Sequence, residues 1–123
     1  MLYLLLVYAS EDAAPERGSP EEALMWAEYG TYAASAVAQG ILVDGRAVLP
    51  SSTATTVRVR EGETLTSDGP HASGAEQIGG WYVVDVDNLD DAIEAAAKVP
   101  GARHGAVEVR PILTAGRSTR LER

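Results

Sequence analysis

Cysteine is missing from this chain altogether. That excludes a disulfide framework, a thiolate nucleophile and any cysteine-based zinc site. Phenylalanine is missing too, so the aromatic volume comes from two Trp and five Tyr, whose polar tips need partners when buried. Basic residues are scarce: ten Lys and Arg stand against 18 Asp and Glu, a formal charge of -8. That sign repels phosphate backbones, and no compact basic stripe overrules it, so nucleic acid is not expected as a partner. Arg117, Arg120 and Arg123 cluster at the end, where they read as a solvated terminus. No apolar run is long enough to span a bilayer; residues 1–9 come nearest. Those residues also lack the positive flank and cleavage site of a signal peptide, so the expectation is a cytoplasmic protein with no membrane partner. Two histidines and scattered carboxylates show no metal-ligand spacing, and neither metal nor cofactor is expected.

What remains is a chain of 123 residues, 46% hydrophobic, enough for one domain around one core. Residues 2–8 are apolar at nearly every position, which predicts a strand covered on both faces. Ser19-Pro20-Glu21-Glu22 predicts a helix start, with Ser at the N-cap, Pro next and Glu completing a capping box. Trp26, Tyr29, Ala33, Ala36 and Val37 follow on one helical face, and Gly40 ends the helix. Short extended pieces at 41–43 and 47–49 flank an Asp44-Gly45 turn. Residues 55–60 alternate, with Val57 and Val59 on one side, and turn through Glu61-Gly62-Glu63 into an extra hairpin around 55–67.

A loop over 67–80 leads into a strand over 81–87, with Tyr82, Val84 and Val86 on one face and Trp81, Val83 and Asp85 on the other. Asn88 caps a second helix whose buried side is Leu89, Ala92, Ile93 and Ala96. Residues 106–112 form the last strand. This order predicts an α+β domain, a ferredoxin-like split β-α-β sandwich with both helices on one face of an antiparallel sheet. The apolar second face then has no cover within the chain. Sheet-to-sheet packing against another copy, a homodimer, supplies one with two-fold symmetry.

Leu49-Pro50, Thr53-Ala54-Thr55-Thr56-Val57-Arg58, Asp68-Gly69-Pro70, Glu76, Gly79-Gly80-Trp81-Tyr82 and Gly105-Ala106-Val107-Glu108-Val109-Arg110-Pro111 occur in this order. In order and spacing the chain resembles the YCII-related (DGPF-domain) family. The resemblance spans residues 1–115 as a single domain and leaves 116–123 as a tail. It implies a dimeric α/β barrel. Two departures stand out: His71 replaces the usual Phe of the signature, and Ala72-Ser73-Gly74-Ala75-Glu76 replaces a more charged loop. The wider YCII group carries a His–Asp pair with its histidine on the first helix, whereas residues 19–39 here contain none. Family members also occur beside extracytoplasmic-function sigma factors, which implies a regulatory alternative to catalysis.

Asp68 before Gly-Pro is suited to an Asx-turn, accepting backbone N–H groups, or to a base facing a cleft. His71, three residues on, is within reach of it; an Asp–His pair would fix one tautomer and free the other nitrogen as a base. A shape substitute for the family's aromatic ring is the plainer reading of His71. Arg58, Glu108 and Arg110 alternate away from the valines of their strands, toward the second sheet face. There they form a structural network or hold an anion. The leading expectation is a small polar or anionic metabolite, unidentified, in an inter-sheet cleft bounded by Asp68, His71, Arg58, Glu76, Tyr82 and Arg110, with Glu108 adjacent. Cofactor-free acid/base chemistry is the enzymatic version; a ligand sensor or interaction module is the alternative.

Overall fold

The computed structural model describes residues 1–113; the C-terminal arginines and the 116–123 tail lie outside them. The elements are β1 (Leu2–Ser10), α1 (Pro20–Ala38), β2 (Leu42–Ala47), β3 (Thr55–Arg60), β4 (Glu63–Asp68), β5 (Glu76–Asp85), α2 (Leu89–Ala97) and β6 (Ala106–Pro111). Four strands form one antiparallel sheet in the order β2-β5-β1-β6, and β3-β4 pair separately as a hairpin. The result is α+β, and its strand order is compatible with a ferredoxin-like fold into which a hairpin has been inserted.

Both helices start as their sequences dictate. The Ser19 hydroxyl accepts the Glu22 N–H at 3.1 Å, and the Asn88 side chain accepts the Asp91 N–H at 2.9 Å. Glu22 reaches back to the Gly18 N–H at 2.8 Å, one residue before the cap. Gly40 has φ +74°, the left-handed conformation that stops α1.

The core lies between the helices and one face of the sheet. Tyr3, Leu5 and Val7 alternate inward along β1 and meet Val84, Tyr32, Ala92, Ala95, Ala96 and Val99. Each helix is rotated part-way from its expected face: Ala36, Ala92 and Ala96 are buried as expected, and the larger expected residues are not. In α1 the buried positions are Tyr32 and Ala36, while Trp26 and Val37 are exposed. In α2, Ala92, Ala95 and Ala96 face the sheet, and Leu89 and Ile93 are half out. Small residues at the contact let α2 lie close to the sheet, which turns its larger side chains to the flank. Tyr32 supplies the bulk instead: its ring packs edge-on against Tyr82 at 5.1 Å. Its hydroxyl donates to the Ala95 carbonyl at 2.9 Å, one of the α2 carbonyls that lack a helical partner.

Two further expectations are corrected. Asp44-Gly45 is no turn: β2 runs straight through it, with a bulge between Leu42 and Asp44. The glycine there serves close packing, because a Cβ on Gly45 would collide with the Tyr82 ring. Likewise β5 starts at Glu76, so much of the expected 67–80 loop is strand, and a register shift opposite Val7/Tyr8 absorbs Gly79.

Among the described residues the other sheet face is open. Leu4 pairs with Val83 and Arg110, and Leu6 with Trp81 and Glu108. Leu4, Leu6, Trp81 and Val83 are therefore neighbours there, each half-buried, and among the described residues the buried core lies on the opposite face.

Candidate functional site

Asp68 ends β4 and Gly69-Pro70-His71 open the loop that leads to β5, which the structure anchors from three sides. On the hairpin, Thr56 and Arg58 share a face because side chains alternate along a strand. The Thr56 hydroxyl donates to the Gly69 carbonyl at 2.8 Å, and the Arg58 guanidinium donates to His71 Nδ1 at 3.1 Å. The Gly69 N–H donates to the Ala54 carbonyl at 2.8 Å, and Gly69 takes φ +101°, a conformation favouring glycine. From β5, the Gln77 amide donates to the carbonyls of Ala72 and Gly74 at 3.1 and 3.2 Å.

The hairpin thus presents its polar side to the protein. Arg58 and Thr56 are half-buried, whereas Val57 and Val59 are 58% and 59% exposed. The expectation that Arg58 shares the open sheet face with Glu108 and Arg110 is corrected here: the hairpin is a separate sheet, and Arg58 belongs to the loop.

Beside this loop lies a groove of about 520 Å³, within the size range of small-molecule sites. Its far wall is the segment from Val48 to Ala54, its floor includes Tyr8 and Ile78, and its near wall is Pro70 to Ser73 with Glu76 and Gln77. The far wall is pinned by Glu11, whose carboxylate accepts both the Ser51 N–H at 2.7 Å and the Ser51 hydroxyl at 2.6 Å. Those two bonds, the hydroxyl first, hold the Glu11 carboxyl below its ordinary range. A larger groove of about 660 Å³ runs between the helices. Its rim is occupied by the Glu28–Arg103 and Glu94–Lys98 ion pairs, and it contains none of the signature residues. We therefore place the candidate site in the smaller groove.

Of the residues the sequence singled out, His71 and Glu76 line this groove, and Arg58 joins them through His71. Asp68 does not. Its carboxylate takes part in no hydrogen bond or ion pair among the described residues, so neither the Asx-turn nor the Asp68–His71 pair is formed; Thr56 and the Ala54 carbonyl close the turn instead. Tyr82 faces the helices, and burial raises its hydroxyl pKa. Glu108 and Arg110 pair with each other on the open sheet face. The single chain therefore assembles three of the seven residues and distributes the other four.

Tyr8, Ser51 and Gln77 escaped notice in the sequence. Tyr8 looked like one more apolar strand residue, and Ser51 and Gln77 carry no motif. The one available signal was Leu49-Pro50 followed by hydroxyl residues inside the shared family pattern.

An antiparallel α+β domain with an inserted hairpin, whose anchored loop walls a groove at the sheet's end, is the class these features define. The family model for the YCII-related domain matches residues 1–115, and the chain belongs to that family. It is 32% identical over 114 residues to an uncharacterized protein of Rhizobium meliloti (strain 1021), covering 91% of this chain and 92% of that one.

Proposed function

We propose that this protein binds a small polar or anionic molecule in the groove walled by the 69–77 loop, as one half of a two-fold dimer. The observation carrying the reading is the anchoring of that loop. Three side chains, Thr56, Arg58 and Gln77, hold it against an already open concavity with polar groups at its edge. Preorganisation of this kind lowers the ordering cost of binding. The wall itself is mixed, with Val48, Leu49, Pro50 and Ile78 offering apolar surface and Ser51, His71, Ser73 and Glu76 offering polar contacts.

Support for the dimer comes from the open sheet face. Leu4, Leu6, Trp81 and Val83 form a contiguous apolar patch, with the Glu108–Arg110 pair at its edge. Sheet-to-sheet packing would bury it, as the resemblance to dimeric α/β barrels implies. Arg110 and Glu108 then lie at the junction of the two copies.

Binding alone does not make an enzyme. The single chain assembles no Asp–His pair, so turnover would draw on Glu76, the carboxylate within the groove, for cofactor-free proton transfer. Binding without turnover is the sensor reading, including one linked to sigma-factor regulation.

A thermal-shift screen of polar and anionic metabolites on wild type and His71→Ala tests the proposal. A metabolite that raises the melting temperature of wild type and has a reduced effect on the variant supports the site. Turnover of that metabolite near neutral pH then marks an enzyme, and its absence a sensor. If no metabolite shifts the melting point while a protein partner co-purifies, small-molecule binding is wrong.

A further inference from the structure

We propose that Arg58 fixes the role of His71: it makes the ring a hydrogen-bond donor through Nε2, so that the groove takes a monocarboxylate and does not use His71 as a base. This rests on the reading that the groove binds a small molecule. Guanidinium has five N–H donors and no acceptor, so a hydrogen bond from Arg58 to His71 Nδ1, 3.1 Å apart, requires the Nδ1 lone pair. The neutral ring then carries its proton on Nε2. In a neutral imidazole one nitrogen donates and the other accepts, and here the accepting one is already taken.

The placement matters as much as the tautomer. His71 lines the groove and Arg58 does not; with Nδ1 engaged by Arg58, Nε2 is the ring nitrogen left to meet a ligand. Removing a proton from a bound molecule needs a free lone pair at that atom, which is absent. Donating to a carboxylate oxygen needs an N–H, which is present. Arg58 adds positive charge behind the ring and has donors to spare, favouring an anionic acceptor over a neutral carbonyl. Glu76 in the same groove is itself an acceptor and opposes a second negative group, which argues for one carboxylate and not two.

Arg58 is on this account a positioning residue. Its anchorage is local: Arg58 pairs with Leu65 in the hairpin ladder, and the neighbouring Thr56 clamps Gly69. The ring is thus oriented by two successive inward positions of one strand.

Nitrogen NMR of the uniformly labelled full chain at neutral pH decides the matter, with His71→Gln separating the His71 signals from those of His104. The expected spectrum has His71 Nε2 as a protonated, pyrrole-type nitrogen and Nδ1 as an unprotonated, pyridine-type one. Arg58→Ala moves the two signals toward a mixture of tautomers, and Arg58→Lys, which keeps a donor, restores part of the preference. Backbone amide spectra confirm that each variant stays folded; should Arg58→Ala disturb the hairpin, the Arg58→Lys and Arg58→Gln comparison carries the test. Sodium acetate should then shift Nε2 in wild type and less in Arg58→Ala. A proton on Nδ1, or a tautomer ratio indifferent to residue 58, overturns the assignment even if molecules bind the groove. The expected tautomer with no acetate response overturns the carboxylate. Correct tautomers with no perturbation of groove amides by any screened molecule would instead fault the binding reading on which the inference rests.

Discussion

Replacing Tyr32 by phenylalanine removes a single oxygen from the centre of the domain. The ring stays, and with it the edge-on contact to Tyr82 at 5.1 Å. What goes is the hydroxyl that donates to the Ala95 carbonyl at 2.9 Å across 63 residues of chain. That carbonyl sits in the last turn of α2, where helical partners have run out, on a residue that is buried. Loss of the bond and stranding of the acceptor should together cost about 1–2 kcal/mol. For a domain of this size that corresponds to a fall of roughly 4–8 °C in melting temperature. Urea denaturation of both proteins at neutral pH measures it, with an unchanged slope showing that only stability has moved.

The pH dependence provides an internal check. Burial, with a smaller contribution from Tyr82, pushes the Tyr32 hydroxyl up to about 12 from its ordinary 10. Since the folded state favours the protonated phenol, this contribution is fully present below pH 10 and is lost as pH rises through about 12. Wild type should therefore lose its advantage over Tyr32→Phe across that window, followed by tyrosinate absorbance and circular dichroism together. Equal urea midpoints at neutral pH would refute the claim that Tyr32 caps α2.

Other consequences follow from named contacts. Because the Ser51 bonds lower the Glu11 pKa, the tether is intact above the ordinary carboxylate range and is released as pH falls through the depressed value; the Ser51 amide resonance should report that titration and lose it in Glu11→Gln. Gly45→Ala should destabilise by about 1–3 kcal/mol in urea, since the Tyr82 ring must give way to the new methyl group. Leu6→Glu, which places a charge in the middle of the open sheet face, should convert a dimer to a folded monomer in light scattering; a wild type that is monomeric at micromolar concentration refutes the dimer outright.

Strands, helix starts and the extra hairpin were legible in the sequence because each has a local cause. Ser19 and Asn88 cap from within a few residues, and β1 is a short unbroken apolar run. Helix rotation was not legible. Apolar spacing favours Trp26, Ala36 and Val37, but the sheet keeps only Ala36 of these and takes Tyr32 beside it, a choice made by the partner surface. Asp44-Gly45 looked like a turn for a related reason: glycine answers equally to turn geometry and to an approaching ring, and only the tertiary position of Tyr82 distinguishes them.

At the site the same division holds. His71 and Glu76 stood out as charged or titratable residues near the signature, and the groove contains both. Arg58 stands out in the sequence but its face does not, because alternation says which residues share a side and not which side meets the protein. Here the valines point outward, against the usual preference, and the polar side clamps the loop. Asp68 drew notice through its motif, yet Thr56 holds the turn. Tyr82 is expected at the edge of the cleft, but its ring packs against the core beside Tyr32.

Small-molecule binding is proposed for the groove beside the 69–77 loop. The most direct measurement is an amide chemical-shift map of the labelled chain, titrated with the best stabilising metabolite from the thermal screen. Binding there produces saturable changes clustered on Tyr8, Ser51, His71, Glu76 and Gln77. Changes centred on Tyr32, Asp91 and Glu94, in the groove between the helices, would contradict it.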